Sequence, residues 1–331
     1  MTIGQDVWME KHRPKTLDEV VGHEAIIDRL KSYVEDDTVP HMLLSGPPGT
    51  GKTTTVTCFA REVFGENWRS NFHELNASDQ RGIDDVRETI KPMAQASPAG
   101  DAPYKIIFLD EVDSMTNDAQ PALRRIIEEY SDITRFFLSC NYPGKIIEAI
   151  QSRCVPLRFS ALSDSEIEGL VERIAIQEDL EFESDDGREI EMIVDGCRGD
   201  ARSAVKYLQT GSVNGKVTVE YLDSVIGSVD WDDLNSIVDM SVSGEFDEAT
   251  ELMRDMLQDG TPPQMLAERF KDVILYRDDF PEPGRHMALS RLAEADWRLL
   301  NGANPQIHLM SLLWDFHVSR HIDYNRYAPV E

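Results

Sequence analysis

The sequence predicts an α/β fold: a parallel sheet with helices on both faces, continued by two helical regions. Three observations predict it. Apolar, β-rich runs alternate with helical periods through the first half of the chain. A glycine-rich loop directly follows one apolar run and directly opens a helix. After about Ser160 the β signal fades and helical periods take over. At about 150 residues per domain, 331 residues suggest two or three domains. Boundaries fall near 160, where the strands stop, and near 228, at the polar break Gly227-Ser228-Val229-Asp230. The expected domains are therefore 1–160, 161–228 and 229–331.

The elements follow in order. His41 to Ser45 reads as a buried strand, and Thr53 to Phe64 as a helix stopped by Gly65. Phe72 to Asn76 is a second strand and Ile83 to Met93 a second helix. Residues 97–103, SPAGDAP, form a loop. Ile106 to Leu109 is apolar throughout, as parallel strands covered on both faces tend to be. A helix then runs to Tyr130, and Pro121, with no N–H to donate, predicts a late start or a kink there. Arg135 to Ser139 and Val155 to Phe159 complete the strands. Helices follow over 164–177, 187–195, 201–210, 219–226, 231–241, 246–258, 262–276 and much of 286–320.

Charge is the outlier in composition. The chain has 33 Lys plus Arg against 61 Asp plus Glu, a net charge of −28, and only 10 of the basic residues are Lys. Residues 1–160 carry 18 basic and 25 acidic side chains; residues 161–331 carry 15 and 36. Such a field repels nucleic acid in dilute buffer. Acidity spread along the whole chain fits better with a very salty cytoplasm, where screening shortens to a few ångströms. No apolar run reaches the roughly 18 residues of a membrane span. The start MTIGQDVWMEKHRP lacks a signal peptide's apolar core. A cytoplasmic location is expected, and Cys58, Cys140, Cys154 and Cys197 then read as reduced core residues.

Gly46-Pro47-Pro48-Gly49-Thr50-Gly51-Lys52-Thr53 fits the phosphate-loop pattern G-x-x-x-x-G-K-[ST]. Its glycines let successive N–H groups face phosphate oxygens, and the helix that follows adds its positive end. Lys52 can reach the β- and γ-phosphates and the Thr53 hydroxyl can bind Mg²⁺. Asp110 and Glu111 end the third strand, at the same sheet edge. Asp110 is placed to hold Mg²⁺ through water, and Glu111 to polarise the attacking water. Two carboxylates there point to ATP hydrolysis rather than nucleotide storage. Asn141 follows the fourth strand, where it can bond both the water and the γ-phosphate or simply form a turn. Arg153 and Arg202 stand at breaks between elements; by spacing alone each is more readily a surface ion pair than a phosphate contact.

In order along residues 7–210, the chain resembles the small subunits of the archaeal and eukaryotic clamp loader, replication factor C, within the AAA+ ATPases. Val7-Trp8-Met9-Glu10-Lys11-His12-Arg13-Pro14, with Leu17 to Gly22, is similar to the family's adenine-pocket segment. Glu74 to Ile83 is similar to a stretch largely peculiar to clamp loaders. Asp110 to Asp113 resembles the Asp-Glu-Ala-Asp box, Ser139 to Tyr142 sensor 1, and Gly199 to Arg202 sensor 2. Ser152-Arg153-Cys154 resembles the arginine-finger box. His12 stands where the family usually has Tyr, and Val112 where it has Ala.

The resemblance implies an AAA+ domain, a small helical lid and an all-α collar. It implies ATP contacts from Val7, Arg13, Val21, the loop Gly46, Pro47, Pro48, Gly49, Thr50, Gly51, Lys52, Thr53 and Thr54, and from Asn141 and Arg202. It makes Arg153 a finger acting in a neighbour's site. It places Arg81, Arg87 and Lys145 against primer–template DNA, on phosphates. The expected partners are other clamp-loader subunits, large and small, and a sliding clamp; with the composition, the expected source is a halophilic archaeon. Other DNA-associated AAA+ proteins compete: a branch-migration helicase, or an origin-binding initiator, which would carry a basic recognition helix where residues 229–331 are acidic. A structural subunit that binds ATP without hydrolysing it would usually lack Glu111 or the finger. A large clamp-loader subunit is disfavoured because residues 325–331 show no clamp-binding Q-x-x-hydrophobic-x-x-aromatic motif.

Overall fold

The computed structural model describes residues 7–36, 38–79, 81–184, 186–226 and 231–321. The break at 227–230, Gln80 and the stretch 325–331 lie outside them. The chain divides into two compact units, Met1–Leu222 and Asp223–Glu331.

The first unit is built on five strands: β1 (Met42–Ser45), β2 (Phe72–Asn76), β3 (Lys105–Asp110), β4 (Thr134–Cys140) and β5 (Val155–Arg158). They are all parallel, in the order β2-β3-β4-β1-β5. Alternate side chains feed two cores, one on each face. Leu43, Ile107, Leu109, Phe136 and Leu138 pack on one side; Met42, Leu44, Ile106, Phe108 and Phe137 pack on the other. Burial on both faces is why Ile106 to Leu109 are continuously apolar, each at 0 % exposure. Each such side chain contributes about 1.5–3 kcal/mol relative to leaving it in water. Because the strands are parallel, their C-terminal ends share one edge: Ser45 lies opposite Cys140, and Asn76 opposite Asp110.

Helices cover both faces. Lys52–Phe64 ends at Gly65, whose φ of 56° few other residues adopt. Ile83 to Gln95 is helical with a π-type turn at Val86–Ile90. Ala119–Glu129 begins two residues before Pro121. The missing N–H therefore falls in the first turn, where no intrahelical bond is lost; the late start is the outcome. Cys58, Cys140, Cys154 and Cys197 are buried and free, and burial pushes the Cys140 and Cys154 thiols up to about 12.

Beyond the sheet come Asp164–Gln177, Arg188–Cys197 and Ala201–Gly211. The first is capped by Ser163 and Glu166, which bond each other's backbone N–H; the last by Asp200, which accepts from Arg202 N at 2.8 Å. Here the structure adds elements that composition did not reveal. Three two-residue strands, β6 (Glu181–Phe182), β7 (Ser212–Val213) and β8 (Lys216–Val217), form a small sheet. Runs that short carry no readable alternation.

The second unit's helices include Trp231–Ser243, Phe246–Gln258, Pro263–Tyr276, Glu282–Leu300 and Pro305–Arg320. They share a core in which the Phe270 and Phe316 rings lie 5.4 Å apart. A Cβ on Gly284 would meet the Ser319 carbonyl oxygen at 1.9 Å, so glycine is what lets the last two helices approach there.

Candidate active site

A cleft of about 390 Å³ opens at the C-terminal edge of the sheet. The loop after β1 forms its floor. Gly46, Gly49 and Gly51 all have positive φ, at 152°, 71° and 92°. A Cβ on Gly49 would sit 1.7 Å from Asp200 Oδ1, and Ala201 N donates to the Gly49 carbonyl at 3.1 Å. The phosphate loop thus touches the N-terminus of Ala201–Gly211, leaving no room for a side chain.

Lys52 is buried. Its ammonium donates to the carbonyls of Gly46 (2.8 Å) and Pro47 (2.7 Å) and to Asn141 Oδ1 (3.1 Å). Burial lowers its pKa, with Asp110 opposing. The Thr53 hydroxyl donates to Asp110 Oδ2 at 2.9 Å, and the Ser139 hydroxyl holds the other Asp110 oxygen. Loop, third strand and fourth strand are thereby joined through side chains. Glu111 follows with φ 57°. A left-handed glutamate costs about 1–3 kcal/mol, a strain that clusters at functional sites.

Most residues expected in the site line this cleft: Arg13, Val21, Pro48, Gly49, Thr50, Gly51, Lys52, Thr53, Thr54, Asp110, Glu111, Asn141 and Arg202. Gly46 and Pro47 lie beneath it and meet Lys52 by their carbonyls. Val7 is not part of it; it is 57 % exposed, and Trp8, Met9 and His12 line the cleft instead. His12 ties this segment to the end of Asp164–Gln177, through Gln177 Oε1 (2.9 Å) and Glu178 Oε1 (2.5 Å).

Sequence reasoning missed Glu74, Leu162, Leu170, Arg173 and Val205 in the lining. Leu170 and Val205 sit on apolar helix faces that read as ordinary core. Arg173, three residues after Leu170, shares its face, and that spacing was the available signal. Burial pushes the Glu74 carboxyl up, with Arg13 opposing.

Arg153 lies outside the cleft. It is paired with Glu128, and Nη1 donates to the Ala149 carbonyl at 2.6 Å. Arg81, Arg87 and Lys145 are all exposed. Arg81 Nε donates to Ser78 O, Arg87 lies 3.8 Å from Asp84, and Lys145 sits over the Tyr142 ring.

The cleft suits a magnesium–nucleotide complex. Thr53 and Asp110 present adjacent oxygens, a hard donor set suited to Mg²⁺ with water completing its shell. Lys52, Arg13, Arg173 and Arg202 supply cations around the same cleft. The residues fit.

Residues 42–160 match the family of ATPases associated with various cellular activities (AAA), and residues 229–315 match the replication factor C C-terminal domain. A replication factor C small subunit of Methanococcus maripaludis is 42 % identical over 312 residues, covering 93 % of this chain and 98 % of that protein. Those of Archaeoglobus fulgidus and Haloarcula marismortui are 43 % and 42 % identical over 311 residues, each covering 93 % of this chain and, respectively, 96 % and 94 % of theirs. Among solved structures, the RuvB Holliday junction branch migration motor of Thermotoga maritima matches with a TM-score of 0.53 at 22 % identity, over 70 % of this chain and 79 % of that one; this likeness concerns the fold alone. With nearly full-length identity above 40 % and both family regions in place, the chain belongs to the replication factor C small-subunit family.

Proposed function

We propose that this chain is an ATPase subunit of a clamp loader, using ATP binding and hydrolysis to open a sliding clamp and place it on primer–template DNA. The observation that carries the reading is one cleft that gathers the phosphate loop, Asp110, Glu111, Asn141 and Arg202 in a chain of this family. Backbone N–H groups of residues 49–53 cradle the phosphates, and Lys52 turns from its carbonyl acceptors to the β- and γ-phosphates. Thr53 and Asp110 would hold Mg²⁺, which would supply positive charge to offset that of the phosphates. Glu111 takes a proton from a water held by Asn141. The water oxygen attacks the γ-phosphorus, the bond to the β,γ-bridging oxygen breaks, and ADP and phosphate result. Arg202 contacts the γ-phosphate from the lid. Arg153 reaches the site of a neighbouring subunit, which requires it to leave Glu128.

Residues 1–160 act as the ATPase domain, 161–228 as the lid and 229–331 as the collar through which subunits assemble. Large exposed apolar side chains on the second unit support assembly: Tyr276, Trp297, Leu300, Ile307 and Trp314 are each more than half exposed. The partners are a large subunit, further small subunits, the clamp and DNA, whose phosphates meet Arg81, Arg87 and Lys145. Turnover by the assembled complex is expected to rise only when primed DNA and clamp are both present, measured in molar KCl. Turnover indifferent to the clamp would remove the clamp-loader reading.

The protein works in a salty cytoplasm, as in a halophilic archaeon. The support is the charge of −28 and the scarcity of lysine. Its melting temperature is expected to climb between about 0.1 and 2 M KCl as screening relieves self-repulsion. A flat melting temperature over that range would count against this adaptation.

A further inference from the structure

The arginine assigned as the finger is already satisfied within its own chain. Arg153 Nε donates to Glu128 Oε1 at 2.6 Å, and Nη2 pairs with the same oxygen. Nη1 donates to the Ala149 carbonyl at 2.6 Å and to Ser152 Oγ at 3.2 Å. All three nitrogens have acceptors before any phosphate arrives. Glu128 also takes a second cation: Arg124 Nη1 lies 2.9 and 3.0 Å from its two oxygens. One carboxylate therefore holds two arginines. The cluster is open to solvent, with side-chain exposures of 29 % for Arg124, 34 % for Arg153 and 40 % for Glu128. Exposed pairs of this kind add little to fold stability.

A guanidinium fork accepts carboxylate and phosphate in the same geometry. A phosphate drawing on Arg153 must therefore displace Glu128. We infer that Glu128 is a positioning residue that competes with the neighbouring subunit's terminal phosphate for Arg153, holding the finger parked until ATP occupies that site. The inference rests on the trans assignment of Arg153. Arg124 makes release cheaper, because it keeps the vacated carboxylate paired. The terminal phosphate of ATP carries more charge than a carboxylate and can win Arg153; a site without that phosphate leaves the finger on Glu128. The ion pair thus makes finger engagement conditional on the nucleotide, since a ligand shifts such an equilibrium only by binding one state better.

The test uses complexes assembled from the full chain carrying Glu128→Gln, Glu128→Asp, Arg153→Ala, or Glu128→Gln with Arg153→Ala. Assembly is checked by light scattering, and turnover is measured without DNA or clamp. Glu128→Gln is expected to lower KM for ATP by about two- to fivefold, the worth of an exposed ion pair, and to leave inhibition by ADP, which lacks the terminal phosphate, unchanged. kcat should change little. Glu128→Asp should stay near wild type, and Glu128→Gln should do nothing in the Arg153→Ala background. If Arg153→Ala leaves turnover unchanged, the trans reading itself fails. If Arg153→Ala slows the complex but Glu128→Gln raises KM, leaves it unchanged, or acts equally without Arg153, the holding role is overturned. Should Glu128→Gln fail to assemble, the free chain still decides: the Arg153 Nε–H should exchange faster with solvent in Glu128→Gln, and an unchanged rate overturns the parking.

Discussion

Arg153→Ala is expected to lower ATP turnover of the assembled complex by up to about 10³-fold, the lower range for arginine fingers. Nucleotide binding in the variant's own cleft should be unchanged. The reason is where the side chain sits. Arg13, Lys52, Arg173 and Arg202 line the cleft of their own chain, and Arg153 does not. Its guanidinium is spent on Glu128 and the Ala149 carbonyl. So placed, Arg153 does not meet a phosphate in its own cleft, as a finger acting across a subunit boundary requires. The same geometry predicts that the isolated chain is a feeble ATPase although Lys52, Thr53, Asp110 and Glu111 are assembled. Single-turnover rates beside equilibrium nucleotide binding separate the two effects. A monomer that turns over at the complex's rate would refute the assignment.

Glu111→Gln is expected to leave ATP binding near normal and to cut hydrolysis by about 10²-fold or more, the contribution of a positioned base. Glu111 stands beside the Thr53–Asp110 pair, not within it: Asp110 holds Thr53 and Ser139, and Glu111 itself is exposed and lines the cleft. The amide keeps the size and the left-handed backbone while losing the proton acceptor. Lys52→Ala should behave differently and weaken binding itself, because its ammonium is embedded among the loop carbonyls. Wild-type turnover by a carefully purified Glu111→Gln complex would remove the assigned role.

The strands and most helices were legible because two simple periods govern them. β2 and the helices Asp164–Gln177, Val219–Ile226 and Phe246–Gln258 end where pattern and punctuation place them. The phosphate loop was legible because its chemistry belongs to the backbone, and glycine is how a sequence records backbone demands. The Asp110–Thr53 contact was foreseeable for the related reason that parallel strands bring their C-terminal ends together. Other features leave no such trace. β6, β7 and β8 have two residues each, too few for an alternating pattern. Leu170 and Val205 line the cleft, yet an apolar residue facing a ligand has the same spacing as one facing a core. Glu74 is one of many acids in the sequence, and only folding sets it beside Arg13. The Glu128–Arg153 pair joins residues 25 apart whose separation predicts no contact. Val7 was placed in the cleft through the family resemblance, but the neighbours that line it are Trp8, Met9 and His12.

Mixing two impaired variants tests most directly the claim that each ATP site is completed by the next chain. Arg153→Ala keeps an intact cleft without a finger; Lys52→Ala keeps the finger with a crippled cleft. Each should turn ATP over far more slowly than the wild type when alone. Combined in equal amounts in molar KCl, they should form some interfaces that join an intact cleft to an intact finger, and ATP turnover should return in part. A demonstrably mixed assembly that never regains activity would contradict the claim and leave Arg153 as nothing more than the surface partner of Glu128.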